Sequence, residues 1–271
     1  MRAVWYDRQG PAGEVLHIGE LPDPEPDPGE VRVRLTFSGI NPGDVKKRRG
    51  WLGSSMPYPR VIPHSDGAGV IDAVGEGVEP ARVGRRVWVF NAQSYRPFGT
   101  AAQFTLVPSD RAVDLPDELG ACLGIPGLTA HRGVFGDGPV AGSVVLVQGV
   151  LGGVGSLAAQ LAHWGGATVI GTVRHEHDLS AVSSPAVAHA VALDGPDPVA
   201  AIRAHALDGV DRIIEVSFAE NVDLDAAVAR NQAVISAYVP IATPLRLHEA
   251  ARAHDQVDAG TRSRVLLAIP Q

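Results

Sequence analysis

The sequence predicts an α/β protein in which a doubly wound parallel sheet is joined to a smaller β domain. Three observations carry that expectation. Ser143–Arg174 reads as strand, glycine turn, helix and strand. The first hundred residues are cut by glycine and proline into short, alternating apolar runs. From Ile125 onward, helical and extended segments alternate, the pattern of βα units around a parallel sheet.

In chain order, Met1–Tyr6 and Val15–Glu20 read as strands, and Asp23–Glu30 (DPEPDPGE) as a proline-rich loop. Val31–Ser38 alternates strictly, as a half-exposed strand does. Gly39–Gly43 is expected to be a loop and Asp44–Gly50 a short helix. Asp66–Val78, Arg85–Phe90 and Thr100–Pro108 complete the β portion. Pro116–Leu119 and Ile125–Val134 introduce helix. The parallel strands are expected at Val144–Val147, Ala167–Val173, Val187–Ala192, Val210–Val216 and Ala233–Val239, with helices at Leu157–Trp164, Val199–Ala206 and Val222–Arg230. A helix over Leu247–Asp258 and a strand over Arg264–Ile269 close the chain.

Composition narrows the function. The 271 residues are 45% hydrophobic and 20% charged, the balance of an ordinary globular chain. A net charge of −7 argues against nucleic acid as a partner. The N-terminus has no apolar signal region. The longest apolar stretch, Val144–Ala162, is broken by Gln148, Ser156, Gln160 and its glycines, so it reads as core and not as a membrane span. A single cysteine, Cys122, excludes an internal disulfide. A soluble cytoplasmic protein acting on a small molecule is expected.

The glycine turn gives that expectation a ligand. Gly149, Gly152, Gly153 and Gly155 stand between a buried strand and a helix. Glycines let the backbone approach a pyrophosphate, and the helix start, Gly152-Gly153-Val154-Gly155, offers unpaired N–H groups to its charge. An acidic residue ending the second strand would hold a ribose 2′-hydroxyl. This chain has Arg174 there, followed by His175 and His177. A guanidinium suits a 2′-phosphate, so NADPH is favoured over NADH. Glu176 and Asp178 stand close by.

The segments SGINPGD (38–44), PHSDGAGVIDAVGEGV (63–78), VGRRVWVF (83–90), FGTAAQF (98–104), GIPGLTAHRGV (124–134), the glycine turn, and LHEAARAHDQVDAG (247–260) stand in the order of the zinc-independent medium-chain dehydrogenase/reductase superfamily. The chain most resembles its NADPH:quinone oxidoreductases, the zeta-crystallin-like group. The resemblance implies a GroES-like β domain of residues 1–118 and 243–271, a Rossmann domain of residues 119–242, and an active cleft between them. It implies hydride transfer from NADPH to a quinone or an activated alkene.

Zinc-binding relatives would place a cysteine near Asn41 and a histidine near Ser65. Neither is present, and His64 is out of register, so no metal is expected. Chemistry then rests on orienting the nicotinamide and stabilising the developing oxyanion. Asn41 resembles the family's polar residue at the cleft mouth. Lys46 stands where the group often has a cofactor-contacting tyrosine; it is expected to donate to a carbonyl oxygen or a phosphate, or else to be a solvated member of the run Lys46–Arg49. His64 or Lys46 is a candidate proton donor, with bulk water an equal alternative. Thr129 resembles the residue near nicotinamide, or caps its helix. Asn221 and Tyr238 fall at carboxyl ends of strands, where a doubly wound sheet binds its ligand. Trp51 walls the cleft or packs.

Two departures from the family pattern stand out. Val150 and Leu151 replace small residues in the turn, where bulk would crowd the pyrophosphate. After Tyr238 about 50 residues of the family pattern are missing, more than one βαβ unit of ~30 residues. That should leave a five-stranded Rossmann sheet with an altered edge, and it puts the family's homodimer in question. The departure also keeps two other readings: a catalytically idle NADPH-binding protein, and a non-redox tailoring enzyme such as a cyclase acting on a polyketide-like substrate.

Overall fold

In the computed structural model, the described residues are 1–50, 55–115, 120 and 123–237, with the backbone of 245–246 and 267–268. They form two compact units, Met1–Pro126 and a second beginning at Gly127.

The first unit is antiparallel. Strands β1 (Arg2–Trp5) and β2 (His17–Glu20), separated by the one-turn helix α1 (Ala12–Val15), pair with each other. Five strands make the main sheet: β3 (Glu30–Gly39), β4 (Asp66–Val74), β5 (Arg86–Val89), β6 (Phe104–Pro108) and β7 (Ala112–Asp114), in the order β6-β3-β4-β5-β7. The alternation read in residues 31–38 is realised: Val31 and Val33 are buried, and Val87, Val89, Ile71, Val107 and Ala112 join them in one core. Two register shifts along the β3–β4 pair bend the sheet. Helix α2 (Pro42–Arg49) starts earlier than its sequence suggests, inside the expected loop. Asn41 precedes it with Pro42 at its first position, and Gly50 ends it in the left-handed conformation (φ 73°).

The second unit is a doubly wound parallel sheet. Helix α3 (Gly124–Phe135) leads into β8 (Val144–Val147), α4 (Gly153–Trp164), β9 (Thr168–Val173), β10 (His189–Ala192), α5 (Pro198–Arg203), β11 (Val210–Glu215), α6 (Phe218–Val228) and β12 (Ala229–Ala237). Among the described residues the sheet has five strands, ordered β10-β9-β8-β11-β12, and every pairing is parallel. Strand β8 feeds both faces, as period-two geometry requires. Val145 and Val147 pack with Ala130, Val134, Ala158 and Ala162, whereas Leu146 packs with Ile170, Ile202, Ile213 and Val228. The chain runs outward through β9 and β10, then returns to lay β11 beside β8. The carboxyl ends of β8 and β11 therefore flank the switch point where such sheets take ligands.

Boundaries moved where local propensity lost to tertiary context. Helix α4 begins at Gly153 rather than Leu157, although glycines weaken a helix. Strand β12 begins at Ala229, four residues before the expected start, through the polar run Arg230–Gln232; its register shifts against β11, and Gln232 takes φ 65°. Strand β6 starts at Phe104, because Thr100 belongs to a loop held by side-chain bonds described below. The short pairing of β13 (Leu245–Arg246) with β14 (Leu267–Ala268) is parallel. Trp51, Tyr238, the helix expected at 247–258, residues 116–119 and the assignment of 243–271 to the first domain lie outside the described residues. No helix among the described residues is long and apolar enough to cross a membrane.

Candidate functional site

The second unit opens a cavity of about 440 Å³ at the carboxyl ends of β8, β9 and β11. Gly149, Leu151 and Gly152 line it from the glycine turn, Arg174, His175 and Asp178 from the end of β9, and Ser217, Glu220 and Asn221 from beyond β11. The turn is shaped as a cradle. Gly149 sits at φ 66°, a conformation that β-branched residues avoid. A Cβ on Gly155 would lie 2.2 Å from the Gly149 carbonyl oxygen, so only glycine lets the helix start fold back on the strand end. Gly152 precedes α4 without a capping side chain, and Gly153, Val154 and Gly155 form its first turn, whose amides point out of the helix. This donor set fits a pyrophosphate.

The two bulky turn residues part company. Val150 is buried and directed at Gly171 of β9, where an added Cβ would come within 2.6 Å of it. Only Leu151, about half exposed, borders the cavity. The expected crowding is therefore limited to one side chain.

Arg174 is exposed and makes no hydrogen bond or ion pair among the described residues. The acids around it are otherwise engaged. Asp194 accepts from His175 Nδ1 (3.0 Å) and from the Glu176 amide (2.9 Å), which holds its carboxyl below the usual range. Asp178 pairs with His177 at 3.5 Å. Asn221 lies in the first turns of α6 and lines the cavity as expected; its Nδ2 donates to both oxygens of Glu215 (3.2 and 3.1 Å). Thr129 is in the body of α3, five residues from its start, so it does not cap that helix, and it does not line the cavity.

In the first unit a polar cluster joins two of the three expected catalytic residues. Asn41 Nδ2 donates to Asp66 Oδ2 (2.8 Å), and the Ile125 amide donates to the same oxygen (2.8 Å). The Asn41 amide donates to Asp44 Oδ2 (2.8 Å) at the start of α2. Thr100 Oγ1 donates to the Asp66 carbonyl (2.7 Å) and lies 2.8 Å from Ser38 Oγ, which in turn is 2.9 Å from His64 Nδ1. His64 adopts φ 77°, a strained conformation for a non-glycine residue, of the kind that gathers at functional sites. Burial lowers its pKa, partly opposed by the nearby Asp44 charge. Burial raises the Asp44 carboxyl, against the stabilising bond from the Asn41 amide. Asp66 is pushed up to about 6, chiefly by burial. Its Oδ1 has no hydrogen-bond partner, and a Cβ on Gly124 would fall 2.1 Å from it.

Lys46 is half-buried on α2. The basic run around it is not uniformly solvated: Lys47 Nζ donates to Gln93 (2.9 Å), and Arg48 donates to the Gly10 carbonyl. Asp66 escaped the sequence reading, although an acid opening the apolar strand DGAGVIDAV was a visible signal. Glu215, closing VDRIIE, and Asp225 escaped it for the same reason. Among the described residues no three His, Cys, Asp or Glu side chains converge as a metal site would require.

Comparison with known proteins adds the lineage. Residues 27–117 match the family model described as the alcohol dehydrogenase GroES-like domain. A quinone oxidoreductase of Rattus norvegicus is 34% identical over 233 residues, covering 83% of this chain and 69% of the relative. Those of Mus musculus and Homo sapiens are each 36% identical over 183 residues; there the chain spans about half of the relative's length, 53% and 54%. Among solved structures, an NAD-dependent alcohol dehydrogenase superposes with TM-score 0.79 at 25% identity over all of both chains. A Pseudomonas syringae quinone oxidoreductase (TM-score 0.76, 22% identity) covers all of this chain and 81% of its own, as does a mycobacterial protein complexed with NADPH (0.73, 24%). These last two likenesses bear on the fold, a GroES-like antiparallel unit with a Rossmann-like parallel one. The chain belongs to the medium-chain dehydrogenase/reductase superfamily, in its zinc-independent quinone oxidoreductase group.

Proposed function

We propose that this protein is an NADPH-dependent reductase that delivers hydride to a quinone or an activated alkene without zinc. The observation that carries the reading is the cavity at the switch point, with a glycine cradle on one side and the uncommitted cation Arg174 on another. NADPH, when bound, supplies the hydride. The amides of Gly153, Val154 and Gly155 receive its pyrophosphate, with Gly152 shaping the turn; Arg174 receives its 2′-phosphate, and Asn221 borders the nicotinamide side. Tyr238, outside the described residues, is kept as a cofactor neighbour only from its place in the sequence. Thr129 is kept as a cofactor neighbour only through the family resemblance.

Asn41, Lys46 and His64 are proposed to serve the substrate. A quinone or enone carbonyl gains negative charge as hydride arrives, and hydrogen-bond donors aimed at that oxygen lower the barrier. Burial disfavours the His64 imidazolium, so its part is hydrogen bonding, and solvent supplies the proton that completes reduction.

The test is NADPH consumption by the purified protein with a quinone that reacts slowly with NADPH alone. Turnover above background, undiminished by a zinc chelator, is expected. NADPH binding without turnover on quinones or enones would replace the reductase reading with an idle binding protein or a non-redox tailoring enzyme.

A further inference from the structure

Behind the cavity, four side chains that the proposed chemistry does not use are almost wholly removed from water: Gln148, Thr172, Glu215 and Asp225, none more than 2% exposed. They form one chain of bonds. Thr172 Oγ1 accepts from the Gly149 amide (3.1 Å) and donates to Gln148 Oε1 (2.6 Å). Gln148 Nε2 donates to Asp225 Oδ1 (2.9 Å). Asp225 Oδ2 finds no donor. The group facing Asp225 is the carboxyl of Glu215, whose oxygens accept from the Ser217 amide and from Asn221 Nδ2.

Two buried carboxyl groups in contact, with no cation beside them among the described residues, do not both ionise. The charged groups of the packed elements are directed elsewhere. Arg212 of β11 donates to carbonyls at the end of α3, and Arg203 of α5 to the Ala227 carbonyl. Arg230 of β12 pairs with Asp211 of β11, and Glu220 of α6 accepts from the Ser217 hydroxyl. Among the described residues, helix α4, β9 and β10 present no charged group to Asp225, and Glu215 is the one charged influence on it. One proton on Asp225 Oδ2 turns the orphaned oxygen into a donor to Glu215 and completes the chain from Gly149 to Asn221. Both of those residues line the cavity, from different sides.

We propose that Gln148, Asp225 and Glu215 are positioning residues for the dinucleotide site. A single proton shared by the two carboxyl groups ties the glycine turn to Asn221, and its loss loosens both. The inference rests on the dinucleotide reading of the cavity. Burial and the Glu215 charge push Asp225 up to about 7, so the proton is lost within the ordinary working range.

The experiment is a fluorescence titration of the full chain with NADH between about pH 6 and about pH 8.5, for the wild type and Asp225→Asn. NADH avoids the titration of a 2′-phosphate, and the cavity histidines are common to both proteins. If the bound state favours the protonated pair by one pKa unit, wild-type affinity falls roughly tenfold with rising pH. The Asn variant keeps an acceptor for Gln148 and a permanent donor for Glu215, and its slope should lose that tenfold part, keeping only what the shared histidines give. A uniform loss of affinity with the wild-type slope retained would overturn the proposal. Should Asp225→Asn fail to give a cooperative melt, Glu215→Gln decides: the midpoint must move to lower pH, and an unmoved midpoint overturns it. No binding of NADH or NADPH by the wild type at any pH would instead overturn the dinucleotide reading.

Discussion

Among the described residues each unit buries one aspartate with one oxygen left without a donor, and the two differ in what stands opposite. Asp66 is bonded to neutral donors, the Asn41 amide group and the Ile125 backbone, and burial, with a lesser push from the Asp44 charge, raises it to about 6. Asp225 has one neutral donor, Gln148, and faces a second carboxyl; burial first, and then that carboxyl, carry it to about 7. Burial with a like charge that makes no direct bond leaves Asp66 a weakly acidic fixed group, whereas burial with the Glu215 carboxyl in hydrogen-bonding contact makes Asp225 half of a proton-sharing pair. The first arrangement anchors Asn41; the second spans two walls of a ligand cavity.

The comparison extends to the glycines that make room for each arrangement. A Cβ on Gly155 would meet backbone, the Gly149 carbonyl at 2.2 Å, while one on Gly124 would meet only the Asp66 carboxyl at 2.1 Å. Gly155→Ala should therefore cost more, about 3 kcal/mol, and displace the turn; Gly124→Ala should cost about 1–2 kcal/mol as the carboxyl shifts. Chemical denaturation of both variants checks the order, and the reverse order would break the assignment of the turn as rigid.

A smaller effect separates the aspartates by pH. A carboxyl whose folded pKa is raised stabilises the fold most below its unfolded value near 4, and that contribution is lost as pH rises through the folded pKa. Wild-type stability should therefore decline between about pH 4 and about pH 7, Asp66 accounting for the part that ends near 6 and Asp225 for the part that runs on to 7. Asp66→Asn should flatten the earlier part, by roughly 2–3 kcal/mol at most, and Asp225→Asn the later part. Melting temperatures across that range would show it. Smallest of all, Lys46→Ala should lower turnover by about tenfold or less if Lys46 donates to the carbonyl oxygen; unchanged kinetics would assign it to the surface.

The glycine turn and the strands that frame the cavity were legible because glycine spacing and strand composition are local signals. Asn41 is legible only through the family resemblance; its place before Pro42 at the start of α2 is not, because the sequence puts residues 39–43 in a loop. His64 could be named, but its left-handed backbone and its bond to Ser38 could not, because they arise from a loop packed against a strand 26 residues away. Asp66, Gln148, Glu215 and Asp225 read as ordinary polar residues; only the layering of sheet and helices removes them from water. Thr129 is placed near nicotinamide by resemblance, with a helix cap as the alternative; the helix starts at Gly124, one residue before the expected Ile125, so the cap alternative falls.

The account turns on the cavity of the second unit selecting a 2′-phosphorylated dinucleotide. The direct measurement is a parallel titration of wild type and Arg174→Ala with NADPH and NADH at one pH and ionic strength. The account predicts that wild type prefers NADPH, and that the substitution weakens NADPH about tenfold or more while leaving NADH nearly unchanged. Equal losses for both dinucleotides, or a wild type that prefers NADH, would contradict it.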